Sequence, residues 1–158
     1  MCFDNMLYYL SRKFYNDYPY EDFPEILWNK KGRAYNCLLI DSHDGYFICV
    51  PFRSNVPHKY AYLFKNTIRS QNSPSGIDYM KMVIIKNNEY IDLERTAIVD
   101  TDEFTEMMQN IERIVKEVKE FLQDYIDYIN GERNISPQEF RRRYTHSTLP
   151  YFNRELGL

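Results

Sequence analysis

Between Phe104 and Ile129 the apolar residues recur every three or four positions, through Met107, Met108, Ile111, Ile114, Val115, Val118, Phe121, Leu122, Tyr125 and Ile126. That period marks one face of a long amphipathic helix, which must find an apolar surface to lie on. Asp100 with Glu103 fits a capping box at its start, and Gly131 stops it. The residues upstream carry a different pattern. Ala34 to Ile40, Tyr46 to Val50, Met80 to Lys86 and Tyr90 to Leu93 read as strands. Ser42-His43-Asp44-Gly45 has the Asp-Gly signal of a hairpin turn, and Pro51 is expected to stop the return strand. Residues 3–18 read as a short helix with Leu7, Leu10 and Phe14 on one face. The stretch 52–79 reads as irregular, apart from a short element around Tyr60 to Phe64. Ser136-Pro137-Gln138-Glu139 opens a further helix, with Pro at its first position and Glu closing the box. The expected fold is α+β: a small, mostly antiparallel sheet packed on the long helix, with shorter helices added. At 158 residues a single domain, 1–158, is expected.

Charge is unevenly spread. The chain is −3 overall, yet residues 29–86 hold nine basic side chains against Asp41, Asp44 and Asp78, while 87–158 hold nine against fifteen acids. A basic middle third in an acidic chain is the asymmetry of a nucleic-acid reader, or of cations that neutralise neighbours. The 15 Tyr and 10 Phe beside one Trp serve either as core filling or as platforms for bases. Core filling is favoured by about two to one.

The three cysteines show no paired spacing, and the first residues lack a charged leader, so a reducing cytoplasm is expected. No run approaches the roughly 18 to 20 apolar residues of a membrane span. His43, His58 and His146 are scattered and no CxxC or HxxxH occurs, so neither a metal site nor a cofactor is expected. His43 reads as a turn residue and His146 as a helix-end residue.

Chemistry concentrates in Pro51 to Lys59, PFRSNVPHK. If the two long strands pair as a hairpin, Lys31 and Arg33 before the first lie beside Arg53 and Ser54 at the end of the second. RNA cleavage by the ribose 2′-hydroxyl needs a base, donors for the non-bridging oxygens and an acid for the leaving oxygen. His58 suits both proton transfers. Arg53 can fork onto a phosphate, Ser54 supplies a neutral donor, and Lys31 supplies point charge. Arg33, Asn55, Lys59 and Lys81 are expected to hold RNA, with Asp78 beside them, and Tyr35 and Tyr79 to stack on bases. Arg141, Arg142 and Arg143 either form a solvated helix face or give an outer phosphate contact. Equally, Arg53 could pair with Asp78 as a structural bridge, and Ser54-Asn55 could be a plain turn.

Three segments together, RAYNCLLI, VPFRSNVPHK and SGIDYMKMVII, followed by the long helix, resemble the toxins of type III toxin–antitoxin systems. The likeness is greatest to the TenpN/CptN branch and more distant to ToxN and AbiQ, over about residues 30–130. The resemblance implies a curved antiparallel sheet and a metal-independent, sequence-specific endoribonuclease that leaves a 2′,3′-cyclic phosphate. It also implies inhibition by a pseudoknot antitoxin RNA, closure of toxin and RNA into a ring, and cellular or phage RNA as substrate in phage defence, with no membrane and no DNA. The matching positions are Arg33 at the first long strand and Ser54 after the second. The distant members place lysines soon after that serine; here His58 and Lys59 stand there. The alternatives are a non-catalytic RNA-binding module and a protein–protein adaptor using the long helix.

Overall fold

The structure, a computed structural model, describes residues 5–28 and 35–158. Its strands are β1 (Met6–Leu10), β2 (Cys37–Asp41), β3 (Phe47–Ser54), β4 (Ala61–Leu63), β5 (Ser75–Asp78), β6 (Val83–Ile85) and β7 (Ile91–Asp92). Its α-helices are α1 (Arg12–Asp17), α2 (Thr101–Gln109), α3 (Ile111–Ile129) and α4 (Pro137–Tyr144). The fold is α+β. One open antiparallel sheet runs β4-β5-β3-β2-β1-β7, with β6 also paired to β3.

The β2–β3 hairpin forms where the Asp-Gly signal lies, with Asp41 opposite Phe47 and Gly45 at φ +89°. Four consecutive β2 residues, Cys37 to Ile40, are buried, and so are Ile48 to Phe52 of β3. Successive strand residues point to opposite faces, so these two central strands are covered on both sides. Pro51 does not end β3, which continues to Ser54. In register with Cys37, Pro51 falls between the β6-paired stretch (Phe47 to Cys49) and the β5-paired stretch (Phe52 to Ser54). No ladder partner there requires the N–H that proline lacks.

Three other expectations are corrected. The segment read as a helix over 3–18 is strand β1 followed by α1, because β2 and β7 offer β1 a partner on each side. Ser11 divides them: it caps α1, its Oγ accepting from the Phe14 N–H at 3.3 Å. The long helix is two helices. Asn110 (φ −119°, ψ 17°) interrupts it, and its Nδ2 donates to the Glu106 carbonyl at 2.8 Å. Ser75 to Asp78, read as irregular, is β5, and Met80-Lys81 form a 3₁₀ turn rather than the start of a strand. Gly131 stops α3 as expected: the Glu132 N–H reaches the Asp127 carbonyl (2.9 Å) and the Gly131 N–H the Tyr128 carbonyl (3.1 Å). Helix α4 starts on Ser136, whose Oγ accepts from the Glu139 N–H, but the Glu139 carboxylate turns to other partners and closes no box.

Helix α3 gives Ile114, Val118, Phe121, Leu122 and Tyr125 to the core. The tyrosines mostly follow the core-filling reading. Tyr125 and Tyr144 are fully buried, Tyr144 packing on both Phe121 and Tyr125, and Tyr18 joins the Phe14 ring to Phe152. Each such ring contributes about 1.5 to 3 kcal/mol by leaving water. Among the described residues no helix is long and apolar enough to cross a membrane.

Candidate functional site

Strand β3 outruns its partner β2, and its last residues carry the polar chemistry. Asp78 closes β5 one step beyond Ile77, the partner of Phe52, and two beyond Gly76, the partner of Arg53. Its carboxylate is wholly buried. Arg53 Nη1 donates to Asp78 Oδ2 at 2.8 Å, and the Met80 N–H donates to Oδ1 at 3.0 Å. His58 Nε2 approaches Oδ1 to 2.9 Å, off the N–H axis, so the two are in close polar contact without an aligned hydrogen bond. His58 Nδ1 accepts from the Tyr60 N–H at 3.0 Å. In the neutral ring the proton therefore sits on Nε2, toward Asp78.

Beyond Ser54, Asn55 takes the left-handed conformation (φ +55°), which Asn tolerates better than most residues. The chain then runs through β4 into the segment 64–72, and carboxylates from α2 hold that segment down. Glu106, buried, accepts from the N–H groups of Lys65 and Asn66 and from the Tyr62 hydroxyl at 2.7 Å. Burial, reinforced by Glu106, pushes the Tyr62 hydroxyl up to about 12. Asp102 accepts from the Ile68 N–H at 2.8 Å. This anchoring delivers Arg69, which donates from Nη1 to Ser54 Oγ (3.0 Å) and from Nη2 to Asp100 Oδ2 (3.2 Å). Its Nε lies 3.6 Å from Glu103 Oε2. Asp100 makes no side-chain cap on α2, so the two residues read as a capping box instead reach across to Arg69.

The result is a cleft of about 600 Å³, walled by Tyr35 and Asn36 just before β2, Arg53, Ser54 and Asn55 at the end of β3, and Arg69, Asp100 and Glu103 opposite. A more open depression of about 710 Å³ adjoins it and shares Arg69, Val99 and Asp100, so Arg69 forms a ridge between the two. The cleft can present two guanidinium forks, a hydroxyl and an amide to an anionic chain. Glu103 is 4% exposed, and burial pushes its carboxyl above the usual range. Arg69 opposes that rise, while Asp100, Asp102 and Glu106 add to it.

Of the residues singled out in the sequence, Arg53, Ser54, Asn55 and Tyr35 come together here. Lys31 and Arg33 lie outside the described residues, although Tyr35, which follows them closely in the chain, lines the cleft. Others do not join. His58 has both ring nitrogens facing protein, so it braces Asp78 and turns no nitrogen to the cleft. Asp78 is a buried support, as the structural-bridge reading has it, rather than an RNA contact. Tyr79 is 5% exposed with its hydroxyl on Glu117 Oε1 at 2.7 Å, so its ring is closed to bases. Lys81 is buried, donating to Glu25 Oε1 (3.0 Å) and the His146 carbonyl (2.8 Å). Arg143 is held by Asp124 (2.8 Å) and Glu139 (2.9 Å). Arg141, Arg142 and Lys59 are exposed, but none lines the cleft. Part of the basic middle third is thus neutralised by acids from the flanking thirds. Arg69 is not singled out by the sequence, and Glu103 reads there only as part of a capping box. The only early signal for Arg69 was its place among the nine basic residues.

No protein-family model, curated protein or solved structure matches the chain.

Proposed function

We propose that this chain is a metal-independent endoribonuclease of the type III toxin kind, working in the cleft between β3 and the start of α2. One observation carries the reading: Ser54 Oγ, with Arg69 Nη1 3.0 Å from it and Arg53 adjacent on the same strand end, gathers several donors in one cleft. Such donors match the equatorial oxygens of a phosphate attacked by a 2′-hydroxyl, where charge grows most in the transition state. Tyr35 at the rim offers an aromatic face to a base. The basic run Lys30, Lys31 and Arg33 immediately precedes it in the chain. A repetitive pseudoknot RNA would fill the same cleft as inhibitor and assemble with the protein into a ring.

Incubating the purified protein with RNA in EDTA tests the reading. Fragments ending in 2′,3′-cyclic phosphate are expected. Retention of intact RNA would instead identify a binding module, and the absence of any RNA binding would leave the helix-adaptor reading. Within the nuclease reading, Arg69→Gln is expected to slow cleavage about 100-fold, the usual loss on removing one transition-state donor. Single-turnover rates at saturating enzyme measure it; an unchanged rate would remove Arg69 from the machinery.

A further inference from the structure

Cleavage needs a proton acceptor, and the ring of His58 is turned into the protein. Among the described residues two carboxylates line the cleft, Asp100 and Glu103; Asp100 accepts from Arg69 Nη2 at 3.2 Å, which leaves Glu103 as the candidate. It stands on the first turn of α2, is 4% exposed, and lines the cleft with Ser54 and Arg53. Among the described residues its carboxylate accepts no hydrogen bond; its ion contact is Arg69 Nε, at 3.6 Å. A buried carboxylate usually collects several donors. Glu106, one turn further along the same helix, does so, with two backbone N–H groups and a tyrosine hydroxyl. Asp102 takes the Ile68 N–H. Among the described residues Glu103 has only the Arg69 contact, and it lines the space a substrate would occupy.

We infer that Glu103 is the general base of the proposed cleavage, taking the proton from the attacking ribose 2′-hydroxyl. The inference rests on the endoribonuclease reading. The freed 2′-oxygen bonds to phosphorus, the P–O5′ bond breaks, and water protonates the departing 5′-oxygen. The products are a 2′,3′-cyclic phosphate and a 5′-hydroxyl, and Glu103 returns its proton to solvent. Arg69 spans Ser54 and Glu103, so a phosphate seated on Arg69 and Ser54 lies beside the carboxylate. The groups around Glu103 are Arg69 beside it, Asp100 just before its helix, and Asp102 and Glu106 on the helix. Burial and these acids make it a stronger base than an exposed glutamate, and a base works best when its pKa nears the working pH.

The test compares wild type, Glu103→Gln and Glu103→Asp on one RNA in EDTA, measuring binding, cleavage rate and pH profile. Wild type is expected to cleave with an acid limb, the rate falling as Glu103 protonates. Glu103→Gln is expected to bind RNA at least as tightly as wild type, since it frees Arg69 of a competing carboxylate, yet to cleave at least about 100-fold more slowly and lose that limb. Glu103→Asp is expected to keep a limb at an intermediate rate. Wild-type cleavage with an equally active Glu103→Gln would overturn the inference and leave the nuclease reading standing. Binding without cleavage by wild type would overturn both. Should Glu103→Gln fail to fold, wild-type cleavage that stays flat down to pH 4 would be enough to overturn the base assignment.

Discussion

Replacing Asp78 with Ala is expected to lower the stability of the protein by about 3 to 5 kcal/mol, the cost of removing one partner from a buried charge pair. The carboxylate has no exposure and binds Arg53, His58 and the Met80 N–H together. Without it, Arg53 and His58 are left partly buried, with side chains 24% and 16% exposed, facing each other across a vacated space. Two cation-capable groups then share a pocket with no anion. Asp78→Asn keeps the shape and an acceptor for Met80 but presents a donor to one of the two side chains, so a smaller loss of about 1 to 3 kcal/mol is expected. Urea unfolding midpoints measure both. Equal midpoints for wild type and Asp78→Ala would show that the three-way contact contributes nothing. His58 enters the same account: in this structure it stabilises the site from behind.

Gly76→Ala is expected to cost about 3 kcal/mol or more and to disable the cleft together with the fold. Gly76 sits in β5 between β3 and β4, opposite Arg53 on one side and Leu63 on the other. A Cβ there would land on the Tyr62 carbonyl oxygen, a backbone atom that cannot swing aside. Relief would require β4 to separate from β5, or β5 to push β3 and move Arg53 and Ser54. Gly131→Ala is the contrast. Its left-handed φ of +94° strains an L-residue but its surroundings are open, so only about 1 to 2 kcal/mol is expected there. Thermal unfolding of the two variants separates them; equal losses would mean that the close strand approach at Gly76 is easily relaxed.

The parts of the fold legible in the sequence were those set by local rules. The Asp-Gly turn, the Ser136-Pro137 helix start and the Gly131 stop each depend on residues within a turn of one another, and all three appear. Elements decided by distant partners were read less well. The spacing of Leu7, Leu10 and Phe14 suits a helix as well as a strand followed by a helix, and β2 and β7, far along the chain, decide between them. Pro51 reads as a strand end until the order of β6 and β5 along β3 is known. The same division runs through the site. Arg53, Ser54 and Asn55 are contiguous and were found by residue type. Arg69 lies 15 positions from the Ser54 it contacts and 31 from Asp100. Glu103 carried a local meaning, helix capping, that concealed a long-range one.

That Arg69 arrives already matched by Asp100 and Glu103, and Arg53 by Asp78, bears on how any polyanion would be held. A free cationic surface gathers dissolved anions and sheds them when nucleic acid docks, and that release makes binding steeply salt-dependent. Here the counter-ions are covalently part of the chain and cannot diffuse away. An incoming phosphate exchanges partners with a tethered carboxylate, with little gain in the entropy of the surrounding solution. Plotted against the logarithm of salt concentration, the affinity should therefore decline more gently than the number of arginines touched would suggest. Discrimination would rest on how well a bent, particular strand replaces those internal partners, which favours a shaped RNA over arbitrary polyanions.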